Sequence, residues 1–174
     1  SPIMLVIAMV IKFTSDGPIL FKQKRLGWNG SEIIVYKFRT MYANCEDSQF
    51  VKQAKRGDER VTSLGRFLRR TSLDELPQFI NVLRGQMSIV GPRPERVEFI
   101  EQFSKEIPNY AKKHLVKAGI TGWAQIHGLR GDTDLNKRIE YDLYYIENWS
   151  LLLDLKIIIL TAFEPFFSKN GSTR

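Results

Sequence analysis

The sequence predicts one helix-rich α/β domain associated with a membrane surface, and three observations carry that prediction. Two strand-like runs, ILFKQKR (19–25) and EIIVYKF (32–38), are joined through Gly27 and Asn29-Gly30, a hairpin signal. Later stretches repeat apolar residues every three or four positions, the period of an amphipathic helix. Two apolar runs, IMLVIAMVI near the start and WSLLLDLKIIILTAF near the end, belong to a chain of net charge +7. The 174 residues suit one domain with a real core, and 43% hydrophobic with 26% charged content is globular. Neither a repeat nor a domain boundary stands out, so residues 1–174 read as one domain.

Residues 2–13 read as helix. Nine apolar residues are too few to cross a bilayer, which takes ~20, so the run is either a buried core segment or the second arm of a longer membrane segment broken at Ser1-Pro2. It has no basic leader or small-residue cleavage site, so it is not expected to be a complete signal peptide. Ser15-Asp16-Gly17-Pro18 makes a turn into the hairpin. Residues 43–63 are polar without a sustained period and read as a mobile loop with some helix. Leu64-Gly65-Arg66-Phe67-Leu68 opens a short basic helix. Leu73, Leu76, Ile80 and Leu83 then mark one apolar helix face, which stops at Gly85. SIVGPRPE (88–95) is a short apolar run entering a stiff loop. Residues 95–107 are helical up to Pro108. The four glycines of GITGWAQIHGLRG (119–131) predict mostly loop. Residues 133–148 form a charged helix in which Asp142 reads as structural, and 149–163 a helix apolar nearly all round.

The basic balance favours anionic partners: nucleic acid, lipid headgroups or phosphorylated substrates. Cys45 is the only cysteine, which excludes an internal disulfide framework. With only His114 and His127 beside it, a zinc site is not expected.

Chemistry concentrates in RRTSLDELPQ (69–78). Pro77 is tolerated in a first helical turn, so a helix is expected to begin at Ser72 to Asp74, with Ser72 and Glu75 forming an S-x-x-E capping box. Asp74 then meets the positive end of the helix dipole with Arg69 and Arg70 nearby, which predicts a lowered carboxyl pKa. Such a group is a poor general base and a competent nucleophile. Capping alone would also place acids in a first turn. Further cations shift the balance: Lys37 and Arg39 alternate in KFRTM, Arg93 stands between the prolines of GPRP, and Arg130 lies in a glycine-rich loop. Together these clusters resemble a diphosphate site.

KFRTM, RRTSLDELPQ, SIVGPRP, GITGWAQ and DLKIIILT occur in the order seen in the bacterial sugar transferases, the monotopic polyprenyl-phosphate phosphoglycosyl transferases. The resemblance runs from about Ser1 to Phe163, and VEFIEQFSKEIPNY with the HGLRGDT loop is most similar to the exopolysaccharide branch. It implies transfer of hexose-1-phosphate from a UDP-sugar to undecaprenyl phosphate. Asp74 matches the family nucleophile, which forms a phosphosugar-aspartyl intermediate as UMP leaves. Glu75 matches the family acid that holds Mg²⁺, with Asp74 adjoining. Positions matching Arg69, Arg93 and Arg130 belong to the family's active site, and Asp154 matches a functionally important acid, although pairing with Lys156 or an arginine is an equal reading. The family enters the membrane by a re-entrant helix broken at a Ser-Pro pair. Ser1-Pro2 matches that break, which makes residues 1–13 the exiting arm and 14–174 the catalytic part, on the cytoplasmic face of the bacterial inner membrane. The 149–167 stretch, with Trp149, Phe163, Phe166 and Phe167, suits a helix at the lipid interface. A homo-oligomer is left open.

Two rival readings are weaker. A nucleic-acid-binding domain would explain the charge, but the arginines sit beside glycine and proline and no reading motif is present. A non-enzymatic membrane scaffold has no account of Asp74 and Glu75.

Overall fold

The computed structural model describes residues 1–43, 58–107, 109–131 and 133–167. Most of the 43–63 stretch, Cys45 included, lies outside those residues, as do Pro108 and Asp132.

Helix α1 (Pro2–Thr14) begins at Ser1, whose carbonyl accepts from the Met4 amide at 3.1 Å. Pro2 stands in the first turn, where its missing N–H costs nothing. Ile7 and Ile11, one turn apart, are buried with Phe38 and Leu68, while Ile3, Leu5, Met9 and Phe13 are exposed. The N-terminal run is therefore core on one stripe and apolar surface on the other. Among the described residues no helix is long and apolar enough to cross a membrane. Strands β1 (Leu20–Leu26) and β2 (Glu32–Phe38) form the expected antiparallel hairpin, with Leu20 opposite Phe38 and Leu26 opposite Glu32.

Helix α2 (Ser63–Thr71) is capped by Thr62, whose hydroxyl accepts from the Gly65 amide at 2.8 Å. A Cβ on Gly65 would meet the Thr40 carbonyl oxygen at 2.1 Å, so only glycine lets α2 cross the end of β2 this closely. The α-helix expected to begin at Ser72 to Asp74 does not form. Ser72 closes α2 in the left-handed conformation (φ 57°) and caps no helix with its side chain. Leu73–Glu75 is a separate 3₁₀ turn, and α3 (Gln78–Leu83) starts after it. Pro77 supplies the reason. It has no amide to bond the Leu73 carbonyl, which the Leu76 amide takes instead at 3.3 Å. The 3₁₀ geometry brings residues three apart onto one side, so Leu73 and Leu76 both pack on the Ile7–Ile11–Phe38–Leu68 cluster. Leu83, expected on that apolar face, is 88% exposed.

Strand β3 (Ser88–Val90) pairs in parallel with β4 (Gly119–Thr121), and α5 (Trp123–Ile126) comes directly after. The 119–131 stretch is thus more ordered than its glycines suggested. A Cβ on Gly119 would lie 2.2 Å from the Gly91 nitrogen, so these glycines serve close backbone approach beside GPRP. Helix α4 (Val97–Glu106) leads to a 3₁₀ segment, Tyr110–Leu115. Helix α6 (Leu135–Glu147) is capped by Asp134, which accepts from the amides of Asn136 and Lys137. Helix α7 (Leu151–Phe167) buries Ile157 completely against Val90 and Tyr145 but exposes Leu151, Leu152, Ile159 and Phe163. The side chains of Phe166 and Phe167 lie outside those described. Among the described residues the architecture is mixed helix and sheet, with helices predominating over two small two-stranded sheets.

Candidate active site

The 3₁₀ turn sets adjacent carboxylates in different surroundings. Leu73 and Leu76 hold the turn on the core, and Asp74 and Glu75 between them face a cavity of about 250 Å³. Glu75 is clamped: Oε1 accepts from Lys37 Nζ at 2.7 Å and from Arg93 Nη2 at 2.6 Å, and Oε2 from Arg93 Nη1 at 3.3 Å. Asp74 is 9% exposed, and no hydrogen bond or ion pair reaches its carboxylate among the described residues. The cavity wall carries seven cationic side chains, Lys37, Arg25, Arg39, Arg69, Arg93, Arg96 and Arg130, against these two carboxylates.

The electrostatics separate the pair further. Burial pushes both carboxyl groups up. At Glu75 the charges and hydrogen bonds of Arg93 and Lys37 overcome burial and hold the group well below its ordinary value. At Asp74 burial, helped by the Glu75 charge, outweighs Lys37, Arg69 and Arg93, and the net direction is upward. This corrects the expected lowering at Asp74. No α-helix starts there, so the dipole argument lapses; Arg69 donates to Thr40, and Lys37 and Arg93 bond Glu75 rather than Asp74. Burial also lowers Lys37 against the pull of Glu75, whereas Arg93 is raised by Glu75.

The structure brings Lys37, Arg69, Asp74, Glu75, Arg93 and Arg130 to one cavity. Arg69 donates from Nε to the Thr40 hydroxyl at 2.8 Å. Arg39 lines the same wall, but its guanidinium donates to the Ser15 carbonyl (2.7 Å), the Ser15 hydroxyl (2.8 Å) and the Asp16 carbonyl, tying β2 to the end of α1. Asp154 does not line the cavity. It accepts from the Tyr145 hydroxyl at 2.8 Å and Trp149 Nε1 at 3.2 Å, while Lys156 lies over the Trp123 ring. Ser1 and Pro2 start α1, away from this wall. Sequence reasoning missed Gln23, Arg25 and Arg96. Gln23 and Arg25 alternate on β1, on the same face as Phe21, which pairs with Lys37. That alternation was the available signal. Burial and the neighbouring Arg93 lower Arg25 to about 10.

The donor set decides which groups could hold a cation. Glu75 Oε2 accepts only one long bond, and Asp74 adjoins it. Hard oxygens from one or two carboxylates plus substrate phosphates are what Mg²⁺ takes, so the residues fit that ion, which would compete with Lys37 and Arg93 for Glu75.

Comparison with known proteins identifies the family of the chain. A family model described as bacterial sugar transferase matches residues 1–168. The chain is 56% identical over 175 residues to a UDP-glucose:undecaprenyl-phosphate glucose-1-phosphate transferase of Klebsiella pneumoniae, covering 98% of this chain and 37% of the relative. Its Escherichia coli K12 counterpart is 53% identical, with 97% and 37% covered. A UDP-N-acetylgalactosamine-undecaprenyl-phosphate N-acetylgalactosaminephosphotransferase of Aeromonas hydrophila is 48% identical, with 92% and 38% covered. The chain spans a little over a third of the length of these relatives. The cavity, the adjacent carboxylates and the five ordered motifs thus lie in a chain that belongs to the bacterial sugar transferase family.

Proposed function

We propose that this domain transfers a sugar-1-phosphate, a hexose-1-phosphate by its branch resemblance, from a UDP-sugar to undecaprenyl phosphate, with Asp74 as nucleophile. The observation that carries the reading is the pairing of a clamped Glu75 with a buried, unbonded Asp74 in a cationic cavity. Desolvation of an anion that lacks partners raises its nucleophilicity, and the cations around it draw in an anionic substrate.

The chemistry needs no proton from the protein. An Asp74 carboxylate oxygen attacks the sugar-bearing phosphorus, the bond from that phosphorus to the bridging oxygen breaks, and UMP leaves with the electron pair. A phosphate oxygen of undecaprenyl phosphate then attacks the same phosphorus. The acyl-phosphate bond breaks, and the Asp74 carboxylate is regenerated. Arg93 and Lys37, held on Glu75 beside Asp74, would stabilise the charge that builds on the transferred phosphoryl group. Arg69 and Arg130 line the wall where the nucleotide phosphate departs in this scheme. Mg²⁺ held by Glu75 beside Asp74 would offset the repulsion between an anionic nucleophile and an anionic phosphate. The exposed apolar faces of α1 and α7 support docking at the cytoplasmic face of the bacterial inner membrane, with α1 as the exiting arm of a re-entrant helix.

The test is the intact mass of the full-length protein after incubation with UDP-glucose, UDP-galactose and UDP-N-acetylgalactosamine, with Mg²⁺ and without acceptor. A sugar-phosphate adduct on the wild type, absent from Asp74→Asn, is expected. Absence of an adduct together with absence of UMP release when undecaprenyl phosphate is added would overturn the reading.

A further inference from the structure

Behind the cavity lies a second set of charges that the transfer chemistry does not use. Helix α6 places Arg138 and Asp142 one turn apart, both buried. Arg138 Nη2 lies 3.2 Å from Glu95 Oε1, and its Nη1 donates to the Gly131 carbonyl at 3.2 Å. Lys113 Nζ lies 3.3 Å from both Glu95 Oε1 and Asp142 Oδ2. A continuous chain therefore runs from the Gly131 carbonyl through Arg138, Glu95 and Lys113 to Asp142.

Both ends of the Arg138 guanidinium bear on the active site. Gly131 lines the cavity and is next to Arg130 in the chain. Glu95 stands two residues beyond Arg93, with Pro94 stiffening the link. The other side of that loop is tied to the hairpin, through Arg25 Nη1 on the Pro94 carbonyl (3.0 Å) and the Leu26 amide on the Glu95 carbonyl (3.1 Å). Arg138 itself does not line the cavity.

We propose that Arg138 is a positioning residue that clamps the Arg93 loop to the Arg130 loop and so sets the spacing of the two guanidiniums that grip the substrate diphosphate. The inference rests on the cavity being the transfer site. Its chemistry requires arginine: a planar fork reaches two acceptors in different directions, which a lysine ammonium on one stem does not hold in fixed geometry. Burying two acids and two bases costs more than packing apolar side chains of like volume, and the set lies where it fixes two loops that carry substrate ligands. Burial pushes the Glu95 carboxyl up, but Lys113, Arg138 and Arg25 together bring it below its ordinary value, which favours the carboxylate that Arg138 and Lys113 hold.

Binding of UDP to the full-length protein, followed by calorimetry at fixed salt, tests this in wild type, Arg138→Lys, Arg130→Ala and the double variant. Circular dichroism reports folding. Arg138→Lys is expected to weaken UDP about tenfold, as loss of a supporting partner does at other ligand sites. In the Arg130→Ala background the same change is expected to weaken it by less than about threefold, because coupled residues are not additive. Equal weakening in both backgrounds, or none in either, overturns the proposal. If Arg138→Lys does not fold, the neutral pair Glu95→Gln with Arg138→Gln replaces it and is read in the same way. UMP release is recorded in parallel. A wild type that binds UDP but releases no UMP refutes the transfer reading and leaves the clamp to be judged by UDP affinity; a wild type that binds no UDP refutes both.

Discussion

Two charged regions lie back to back in this molecule and obey different rules. Around Glu95 the carboxylates of Glu95 and Asp142 share the cations of Lys113 and Arg138, and all four side chains are buried. In the cavity Glu75 is bound to Lys37 and Arg93 just as tightly, yet its neighbour Asp74 is left unbonded at similar burial. A fold built for stability alone would pair Asp74 too, because an isolated buried carboxylate opposes folding. The difference teaches where the chain gives up stability for chemistry. In the proposed reading the rear network holds loops, and the front one leaves a carboxylate available for attack.

The comparison breaks most decisively at Asp74. Asp74→Asn is expected to lower UMP release at least about 10³-fold, since it removes the attacking oxygen. A variant within tenfold of wild type would reduce Asp74 to a structural acid like Asp142. Stability comes next. Lys113→Met leaves Glu95 to Arg138 but takes from the buried Asp142 the cation that pairs with it among the described residues, and should cost about 3–5 kcal/mol in denaturant unfolding. Lys37→Met leaves Glu75 still held by Arg93 and should cost only about 1–2 kcal/mol while activity falls about 10²-fold. Equal stability losses would erase the distinction between the two regions. Arg93→Lys keeps the charge but loses the two-pronged grip on Glu75, and about a tenfold loss of activity is expected.

The pH dependence sharpens the same contrast. In the proposed reaction Asp74 attacks as the carboxylate, and its folded pKa lies above its ordinary value, so activity is expected to fall on acidification at a higher pH than an unperturbed aspartate would give. Glu75 is displaced the other way. Its depressed folded pKa contributes stability above its unfolded value of 4.5, lost as pH falls toward the folded value. A rate profile and a thermal-melt profile taken over the same range should therefore separate, with activity lost before stability. The smallest expected effect is a gain: Asp74→Asn removes a desolvated charge and should raise Tm at neutral pH by about 1–4 °C. A lowered Tm would mean that Asp74 is paired after all.

Local chemistry was legible in the sequence, and tertiary compensation was not. The hairpin could be read from its strand-like runs and Asn-Gly turn, α4 from apolar spacing, α2 and α6 as basic and charged helices, and α7 as a helix apolar nearly all round. The 3₁₀ turn at Leu73–Glu75 was hidden because Ser72, Glu75 and Pro77 also spell a helix start. What decides is a missing amide at Pro77 and a core on which Leu73 and Leu76 must both land. The β3–β4 pair was hidden because Gly91 and Gly119 signal loops and backbone contact alike. At the site, Arg93 and Arg130 stood out in the sequence as candidate phosphate ligands because they lie beside proline or glycine, and both line the cavity. Arg25 did not, because a basic strand reads as surface until its face is known to be inward. Asp154 shows the opposite difficulty. An acid in an apolar run announces that it needs partners, but not that they are the hydroxyl of Tyr145 and the indole of Trp149.

Leu73 and Leu76 bracket the two acids and share one core with Ile7 and Ile11 of α1. Asp74 is thus joined to the apolar helix through its chain neighbour Leu73. Wherever α1 settles relative to its surroundings, the height of Asp74 is settled too, like a marking cut into a keel. Under the proposed membrane docking, a polar residue at the exposed Phe13 or Leu5 would act on catalysis through the depth of the helix rather than at the site.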